Sequence, residues 1–179
     1  FNMEADSLNC IVLGEDVEPG SSDWEVFVKE IRKEMTVKAG QKCTAIRRIF
    51  VPDSKMEAVW KAVAAGLQQT IIGNPLNEKV RMGPLAGATQ KKEVLEQVGK
   101  LMAGSQLVYG SLDSIQVLDA DPARGSFISP LLLVNEHPFE NLASHDVEAF
   151  GPVSTIMPYK NTGEAIELSR LGKGSLVST

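Results

Sequence analysis

The sequence predicts an α/β domain with a mostly parallel sheet. Two observations support this fold class. Short apolar runs rich in β-branched residues alternate with longer segments whose apolar residues recur at helical spacing, and the alternation continues along most of the 179 residues. The composition, 43% hydrophobic and 23% charged, is typical of a globular protein, and the length suffices for one domain. We therefore expect helices that cross right-handedly over the faces of one sheet.

The first predicted unit is a strand followed by a helix. Residues 7–13 form a short apolar run that Gly14 closes, which is typical of a buried strand. A helix then begins at Ser22 or Asp23, either of which can cap it, and ends at Gly40. The apolar residues expected on its inward face are Trp24, Phe27, Val28, Ile31 and Met35.

The remaining elements repeat the same alternation. A strand over 45–51 precedes a helix that starts at 52–54, and Asn74 and Pro75 form a turn. That helix is expected to carry Met56, Val59, Trp60, Val63 and Leu67 on one stripe, and the next one, over 89–103, to turn Val94, Leu95, Val98, Leu101 and Met102 inward. The other predicted strands cover 106–109, 126–134, 152–159 and 175–179, with a helix over 162–171 before the last of them.

Charge and hydropathy argue against two classes of partner. The net charge is −5 and the basic residues are scattered, so the chain lacks the basic surface of a nucleic-acid-binding protein. No apolar run approaches the ~20 residues that a membrane helix needs, and the start does not resemble a signal peptide. A cytoplasmic protein is expected. Because the chain opens on Phe1 and runs directly into a strand, we also expect it to be part of a longer protein.

Cysteine and histidine usage predicts free thiols and no metal site. Two cysteines do not make a disulfide framework, and two histidines without paired cysteines do not make a metal cluster. His137 and His145 are expected in loops, and neither has a serine or cysteine at a spacing that indicates a catalytic triad. The LGKGS segment near the C-terminus lacks the order and the strand–loop–helix context of a phosphate-binding loop.

The segment GQKCTAIRR raises the question of whether Cys43 is a working thiol. It follows Gly40, which allows a sharp turn, and precedes a strand that can anchor it, so an accessible nucleophile is one interpretation. A buried and inert thiol is the other, because lone cysteines are usually packing residues. Cys10 lies in the middle of the first apolar run and is expected to be such a residue.

Three motifs in a specific order favour the first interpretation. Glu4 stands at the entry to the first strand, the stretch GQKCT surrounds Cys43, and the stretch EAFGPV begins at Glu148. Softer features lie between them, in the segments 73–75 (GNP), 82–85 (MGPL) and 125–130 (GSFISP). With these motifs the whole chain resembles the catalytic domain of the NAD(P)-dependent aldehyde dehydrogenase superfamily. The wording FNMEADSLNC, where the common family pattern has Glu-Leu-Gly-Gly-Lys, is most similar to the aldehyde dehydrogenases of bacterial phenylacetate and benzoyl-CoA degradation, which include ring-opening enzymes.

The resemblance implies a fold and a set of roles. The fold is a three-layer α/β/α, Rossmann-like catalytic domain over residues 1–179, with a dinucleotide-binding domain before it and an oligomerising tail after it, so the chain alone would be inactive. By resemblance Cys43 is the nucleophile and Glu4 the general base, while Glu148 binds the nicotinamide ribose and Phe150 packs against the nicotinamide. An oxyanion-binding Asn would lie upstream of Phe1.

It also implies a substrate and partners. The substrate would be a CoA-linked semialdehyde from an opened aromatic ring, and the coenzyme NADP or NAD, with NADP favoured. The whole protein would be a homo-oligomer, possibly fused to a hydratase-like domain. Two alternatives stay open: an acylating dehydrogenase or reductase that shares the thioester chemistry, and a non-catalytic α/β module. A general base at Glu4 favours a hydrolytic enzyme over the first, and the joint presence of Cys43, Glu4 and Glu148 argues against the second.

Overall fold

A five-stranded sheet forms the centre of the domain. The computed structural model describes residues 6–179. In chain order the strands are β1 (Asn9–Val12), β2 (Ile46–Pro52), β3 (Gln106–Tyr109), β4 (Leu131–Val134) and β5 (Val153–Tyr159). Their order in the sheet is β1-β2-β5-β4-β3, and all neighbours are parallel except β3, which runs antiparallel to β4. The expected mostly parallel sheet is confirmed.

Helices cover both faces of this sheet. They are α1 (Ser22–Thr36), α2 (Met56–Gln68), α3 (Ala88–Leu101), the single turn α4 (Ala143–Asp146) and α5 (Thr162–Arg170). Helices α1 and α2 pack on one face, and α3 and α5 pack on the other. The three-layer α/β/α architecture is therefore confirmed. No helix described between residues 6 and 179 is both long enough and apolar enough to cross a membrane.

The alternation of side chains along each strand divides the core in this way. On β4, Leu132 and Val134 face α1 and α2, whereas Leu131 and Leu133 face α3. All five residues predicted for the inward face of α1 are buried: Trp24, Phe27, Val28, Ile31 and Met35. On α3 the prediction was wrong for Met102, which lies beyond the end of the helix and is exposed.

The path from α1 to β2 contains an unusual turn. Ser21, and not Ser22 or Asp23, caps α1 by accepting a hydrogen bond from the Trp24 N–H at 3.3 Å. The helix ends at Thr36, and a 3₁₀ turn over Val37–Gly40 follows. Within this turn Gly40 and two non-glycine residues, Lys38 and Ala39, have positive φ and lie in the left-handed region of backbone conformation. Such residues cost about 1–3 kcal/mol each and persist only where their surroundings fix them.

Two of the predicted strands differ from the structure. The strand expected over 126–134 begins only at Leu131, because Pro130 lacks an N–H and Ser126 instead accepts a hydrogen bond from Leu85 in a neighbouring loop. The strand expected over 175–179 is reduced to a parallel bridge between Cys10 and Ser178, with further backbone bonds to β1. The final residues thus extend the sheet beyond β1.

Candidate active site

The site lies at the amino ends of three neighbouring parallel strands. Ser7, Cys43 and Glu148 precede β1, β2 and β5, and all three line one cleft of about 770 Å³. Since these strands are parallel and adjacent, their amino ends meet at one edge of the sheet. Ligands of open α/β sheets more often bind beyond the carboxyl ends of the strands. A cleft at the amino ends of the strands is therefore a distinctive feature of this domain.

Cys43 lies on a tight turn just before β2, and its thiol is exposed. The Asn9 side chain holds this turn, because its amide donates hydrogen bonds to the carbonyl oxygens of Cys43 at 2.8 Å and Ala45 at 3.0 Å. Asn9 is almost fully buried, at 1% exposure. Within residues 6–179 the Cys43 N–H donates to no acceptor. The turn therefore exposes Cys43 to the cleft and leaves its N–H without an acceptor among residues 6–179.

Gly40 and Gln41, which precede Cys43, each make a contact that depends on the residue type. Gly40 has φ +67°, and a Cβ there would lie 2.2 Å from the carbonyl oxygen of Gly151, so no other residue fits. The Gln41 side chain accepts a hydrogen bond from the Ala86 N–H at 2.9 Å. The two motifs that surround Cys43 and Gly151 thus touch directly in the fold.

Glu148 is held by two donors from different strands. One carboxylate oxygen accepts the Ser7 N–H at 2.9 Å, and the other accepts the Nε–H of Arg47 at 3.1 Å. The side chains of Arg47 and Glu148 are only 4% and 5% exposed. Burial lowers the pKa of Arg47, and the Glu148 carboxylate beside it acts in the opposite direction. An ionised carboxylate has about four acceptor positions, so Glu148 can still accept hydroxyl donors.

Phe150 supplies an exposed aromatic surface to the same cleft. Its side chain is 41% exposed, and its ring lies over the Arg47 guanidinium, with 5.4 Å between Cζ and the ring centroid. Leu8 and Leu176 add apolar walls. The cleft therefore combines a carboxylate with aromatic and apolar walls.

Glu4, the fourth residue predicted from the sequence, lies outside the described residues. The described part of the chain begins two positions later, and Ser7 lines the cleft. Cys43, Glu148 and Phe150 do share that cleft. Between residues 6 and 179, no group of three or more His, Cys, Asp or Glu side chains is placed to hold a metal ion.

The expectation that His145 lies in a loop was wrong. It is buried in α4 at 2% exposure, with Nδ1 3.1 Å from Arg48 Nη1 and Nε2 3.0 Å from the Pro138 carbonyl oxygen. Because arginine only donates, Nδ1 accepts and Nε2 carries the proton. Burial and the charge of Arg48 lower the pKa of His145 to about 4, so its imidazole is neutral near pH 7.

The LGKGS segment lines the same cleft. Gly172, Lys173 and Gly174 lie on its wall, and Lys173 forms an ion pair with Asp146 at 2.7 Å. The segment follows α5 and leads to the bridge with β1, so it does not open a helix as a phosphate-binding loop does.

Comparison with known proteins decides the family. The sequence profile described as "Aldehyde dehydrogenase family" matches residues 9–179. The chain belongs to the aldehyde dehydrogenase family. Its fold is similar to that of betaine aldehyde dehydrogenase from Staphylococcus aureus, with a TM-score of 0.80 and 24% identity over 94% of this chain and 32% of that one. Succinic semialdehyde dehydrogenase from Streptococcus pyogenes, in complex with NADP⁺, gives a TM-score of 0.76 and 25% identity over 91% of this chain and 33% of that one.

Two curated relatives are more similar in sequence. A 3,4-dehydroadipyl-CoA semialdehyde dehydrogenase from Aromatoleum evansii is 43% identical over all of this chain and 35% of its own length. Protein MaoC from Klebsiella aerogenes is 42% identical over 100 residues, which are 55% of this chain and 28% of that protein. The chain spans about a third of the length of these relatives.

Sequence reasoning missed the residues that organise this aldehyde dehydrogenase site. Asn9 holds the Cys43 turn, and Arg47 holds Glu148. A signal for Arg47 was present, because two consecutive arginines stand in a strand whose other residues are apolar, and arginine is almost never buried without a partner. The sequence offers no comparable signal for the partner of Asn9, because a backbone carbonyl carries no residue identity.

Proposed function

We propose that this chain is the catalytic domain of a longer NAD(P)-dependent aldehyde dehydrogenase that oxidises an aldehyde to a carboxylic acid. One observation carries the proposal: the exposed Cys43 thiol shares a cleft with Glu148 and Phe150. The dinucleotide-binding domain and the oligomerising tail are assigned to other parts of the longer protein. The chain's coverage of about a third of its relatives is consistent with that division.

The substrate we assign is a CoA-linked semialdehyde produced when an aromatic ring is opened. Support comes from the 43% identity to a 3,4-dehydroadipyl-CoA semialdehyde dehydrogenase along the whole chain. The family resemblance adds a homo-oligomer and a fused hydratase-like domain to the proposal, and the sequence pattern adds a cytoplasmic location.

Cys43 is the proposed nucleophile. Its thiolate forms a bond to the aldehyde carbon, and the carbonyl oxygen becomes the oxyanion of a thiohemiacetal. The Cys43 N–H, which has no acceptor within residues 6–179, is available to that oxyanion. The Lys42 carbonyl, which lies in the same peptide plane as this N–H, accepts a hydrogen bond from the Ala45 N–H at 3.1 Å and so fixes that plane. Asn9 supports the step because its two hydrogen bonds hold the rest of the turn.

Glu148 and Phe150 are the proposed coenzyme ligands. The Glu148 carboxylate accepts hydrogen bonds from ribose hydroxyls, and the exposed Phe150 ring packs against the nicotinamide end. When bound, the coenzyme would supply the acceptor for the hydride that leaves the thiohemiacetal carbon. Loss of this hydride leaves a thioester on Cys43. NADP is favoured over NAD by the resemblance; solved relatives are in complex with NAD⁺ or NADP⁺.

Glu4 is the proposed base for the last step. It removes a proton from water, the resulting hydroxide attacks the thioester carbon, and the C–S bond breaks to release the carboxylic acid and the Cys43 thiolate. In an acylating enzyme, CoA thiol would take the place of water and this base would not be needed.

A rapid-mixing experiment on the full-length protein, with substrate in excess, tests the proposal because it separates the first turnover from the later ones. NADP reduction is followed with an aliphatic semialdehyde thioester of CoA for the parent, Cys43→Ala, Glu4→Gln and the control Cys10→Ala. We expect no burst from Cys43→Ala, a burst without turnover from Glu4→Gln, and parental behaviour from Cys10→Ala. Turnover by Cys43→Ala at the parental rate would refute the nucleophile. Turnover by Glu4→Gln that depends on free CoA would instead establish the acylating reaction.

A further inference from the structure

Arg47 contacts Glu148 and Phe150, two of the side chains that line the cleft. Its Nε donates to the Glu148 carboxylate at 3.1 Å, and its guanidinium lies 5.4 Å from the centroid of Phe150. Its other nitrogens donate to the carbonyl oxygens of Gly151 at 2.7 Å and Gly40 at 2.8 Å. One side chain therefore connects the two proposed coenzyme ligands with the segment that leads to the nucleophile.

The geometry of this contact requires arginine. A guanidinium presents five donors in a rigid planar fork, whereas an ammonium presents three donors around a point. The acceptors of Arg47 lie on two segments that are far apart in the chain, the turn at Gly40 and the stretch from Glu148 to Gly151. Each of the three guanidinium nitrogens is matched to one acceptor. A lysine would keep the positive charge but could not reach all three.

The contact with Arg47 also fixes the orientation of the Glu148 carboxylate. A carboxylate that is 5% exposed pays for its loss of water unless charged or polar donors replace it, and the donors here are Arg47 and the Ser7 N–H. Because the fork and the N–H grip one oxygen each, the carboxylate is held in one rotamer with its remaining acceptor positions free. Ribose hydroxyls would then meet an ordered acceptor.

We infer that Arg47 is a positioning residue that orients Glu148 for the coenzyme ribose and locks it to the Gly40 turn before Cys43. This rests on the proposed function, since it presumes that Glu148 binds the coenzyme. Arg47 acts through Glu148 and touches neither substrate nor thiol. Loss of the fork should therefore affect coenzyme binding much more than the attack of Cys43 on the aldehyde.

The test compares steady-state constants for NADP and aldehyde in the full-length protein. The variants are Arg47→Lys, Arg47→Gln, Glu148→Gln, the double variant Arg47→Lys/Glu148→Gln, and Glu34→Gln as a control. Glu34 pairs with Lys42 at 2.7 Å beside the same turn and makes no hydrogen bond to Glu148 or Arg47, so its loss removes a nearby charge and leaves the hydrogen bonds of Arg47 in place.

We expect Arg47→Lys and Arg47→Gln to raise the KM for NADP about tenfold, the size of one lost charge-assisted hydrogen bond. The KM for aldehyde should change less than about twofold, and Glu34→Gln should match the parent in both constants. The double variant should be no worse than Glu148→Gln alone, because removal of Glu148 leaves Arg47 nothing to position.

Each other outcome has a definite meaning. A parental KM for NADP in both Arg47 variants, with a raised value in Glu148→Gln, overturns the role of Arg47 but keeps the proposed coenzyme site. A parental KM in Glu148→Gln overturns the coenzyme site itself. Effects that add in the double variant, or failure of both Arg47 variants to fold, would make Arg47 an anchor of the fold and also overturn the inference.

Discussion

Cys10 and Cys43 belong to neighbouring strand segments but have opposite surroundings. Cys10 lies within β1, is 1% exposed, and has its Sγ 3.3 Å from Ser178 Oγ under the last residues of the chain. Cys43 lies just before β2, on a turn open to the cleft. The sheet thus buries one thiol and presents the other, and the difference depends on position relative to the strand end. Reactivity follows access and not residue type.

The two adjacent arginines of β2 repeat this contrast. Arg47 pairs with the Glu148 carboxylate in the cleft wall. Arg48 packs against α5, is completely buried, and donates to the carbonyl oxygens of Leu8 and Leu168, both at 2.8 Å. Burial lowers its pKa, and nearby carbonyl dipoles replace a counter-ion. Arg47 therefore holds a side chain of the cleft wall, whereas Arg48 holds α5 against the sheet.

The largest expected difference between the two regions is in thiol chemistry. In the native full-length protein, iodoacetamide should alkylate Cys43 at least about a hundredfold faster than Cys10, because a buried strand residue reacts only when the structure opens. Peptide mass spectrometry over a time course measures both rates. In strong denaturant the two rates should converge. Equal rates in the native protein would remove the basis of the comparison.

Glycine substitutions should separate the turn before Cys43 from an ordinary helix position. Gly40→Ala should lower the free energy of unfolding by about 3 kcal/mol, because φ is +67° and the new Cβ would lie 2.2 Å from Gly151 O. In α3, Gly99→Ala meets nothing within 4 Å and should raise it by about 0.5–1 kcal/mol. Urea unfolding monitored by circular dichroism measures both. Tolerance of Gly40→Ala would contradict the close approach of the two motifs.

Acid should weaken the core beneath the cleft through His145. Its pKa is 6.5 in the unfolded chain and about 4 in the folded one, so the unfolded state binds the extra proton first as the pH falls. Stability should therefore decline from pH 6.5 toward about pH 5, above the range in which Asp and Glu side chains titrate. His145→Gln, which keeps an acceptor for Arg48, should show a flatter profile. Parallel profiles would contradict the buried neutral imidazole.

A small effect on stability and none on the kinetics is expected at the buried thiol. Cys10→Ala should reduce the free energy of unfolding by about 1 kcal/mol, the typical loss for a small core truncation, and leave the kinetic constants for aldehyde and coenzyme unchanged. A loss of activity in Cys10→Ala while the protein stays folded would show that β1 contributes more to the site than packing.

Much of the layered fold could be predicted from the sequence because its signals are local. The apolar pattern predicts the start of α1 and both ends of β5 to within one residue, but the end of α1 was expected at Gly40 and lies at Thr36. The antiparallel direction of β3 could not be predicted, since it depends on a loop path that periodicity does not encode. The short extent of β4 depends on Ser126 pairing with a distant loop, which is likewise a tertiary effect.

The site divides in the same way. Cys43, Glu148 and Phe150 could be found because motifs mark them, and the cleft brings those three together. Arg47 and Asn9 act through hydrogen bonds to groups 101 and 34 positions away in the chain. The paired arginines indicate that Arg47 has a partner, but no local pattern identifies the partner of Arg47 or of Asn9. The roles of these two residues could therefore be assigned only from the structure.

The most direct measurement is to trap the acyl intermediate. The full-length Glu4→Gln protein is mixed with coenzyme and aldehyde, quenched in acid during the first turnover, digested and analysed by mass spectrometry. We predict that the peptide containing Cys43 gains the mass of the acyl group and that the peptide containing Cys10 does not. Coenzyme reduction without any acyl group on Cys43 would contradict the assignment of Cys43 as the nucleophile.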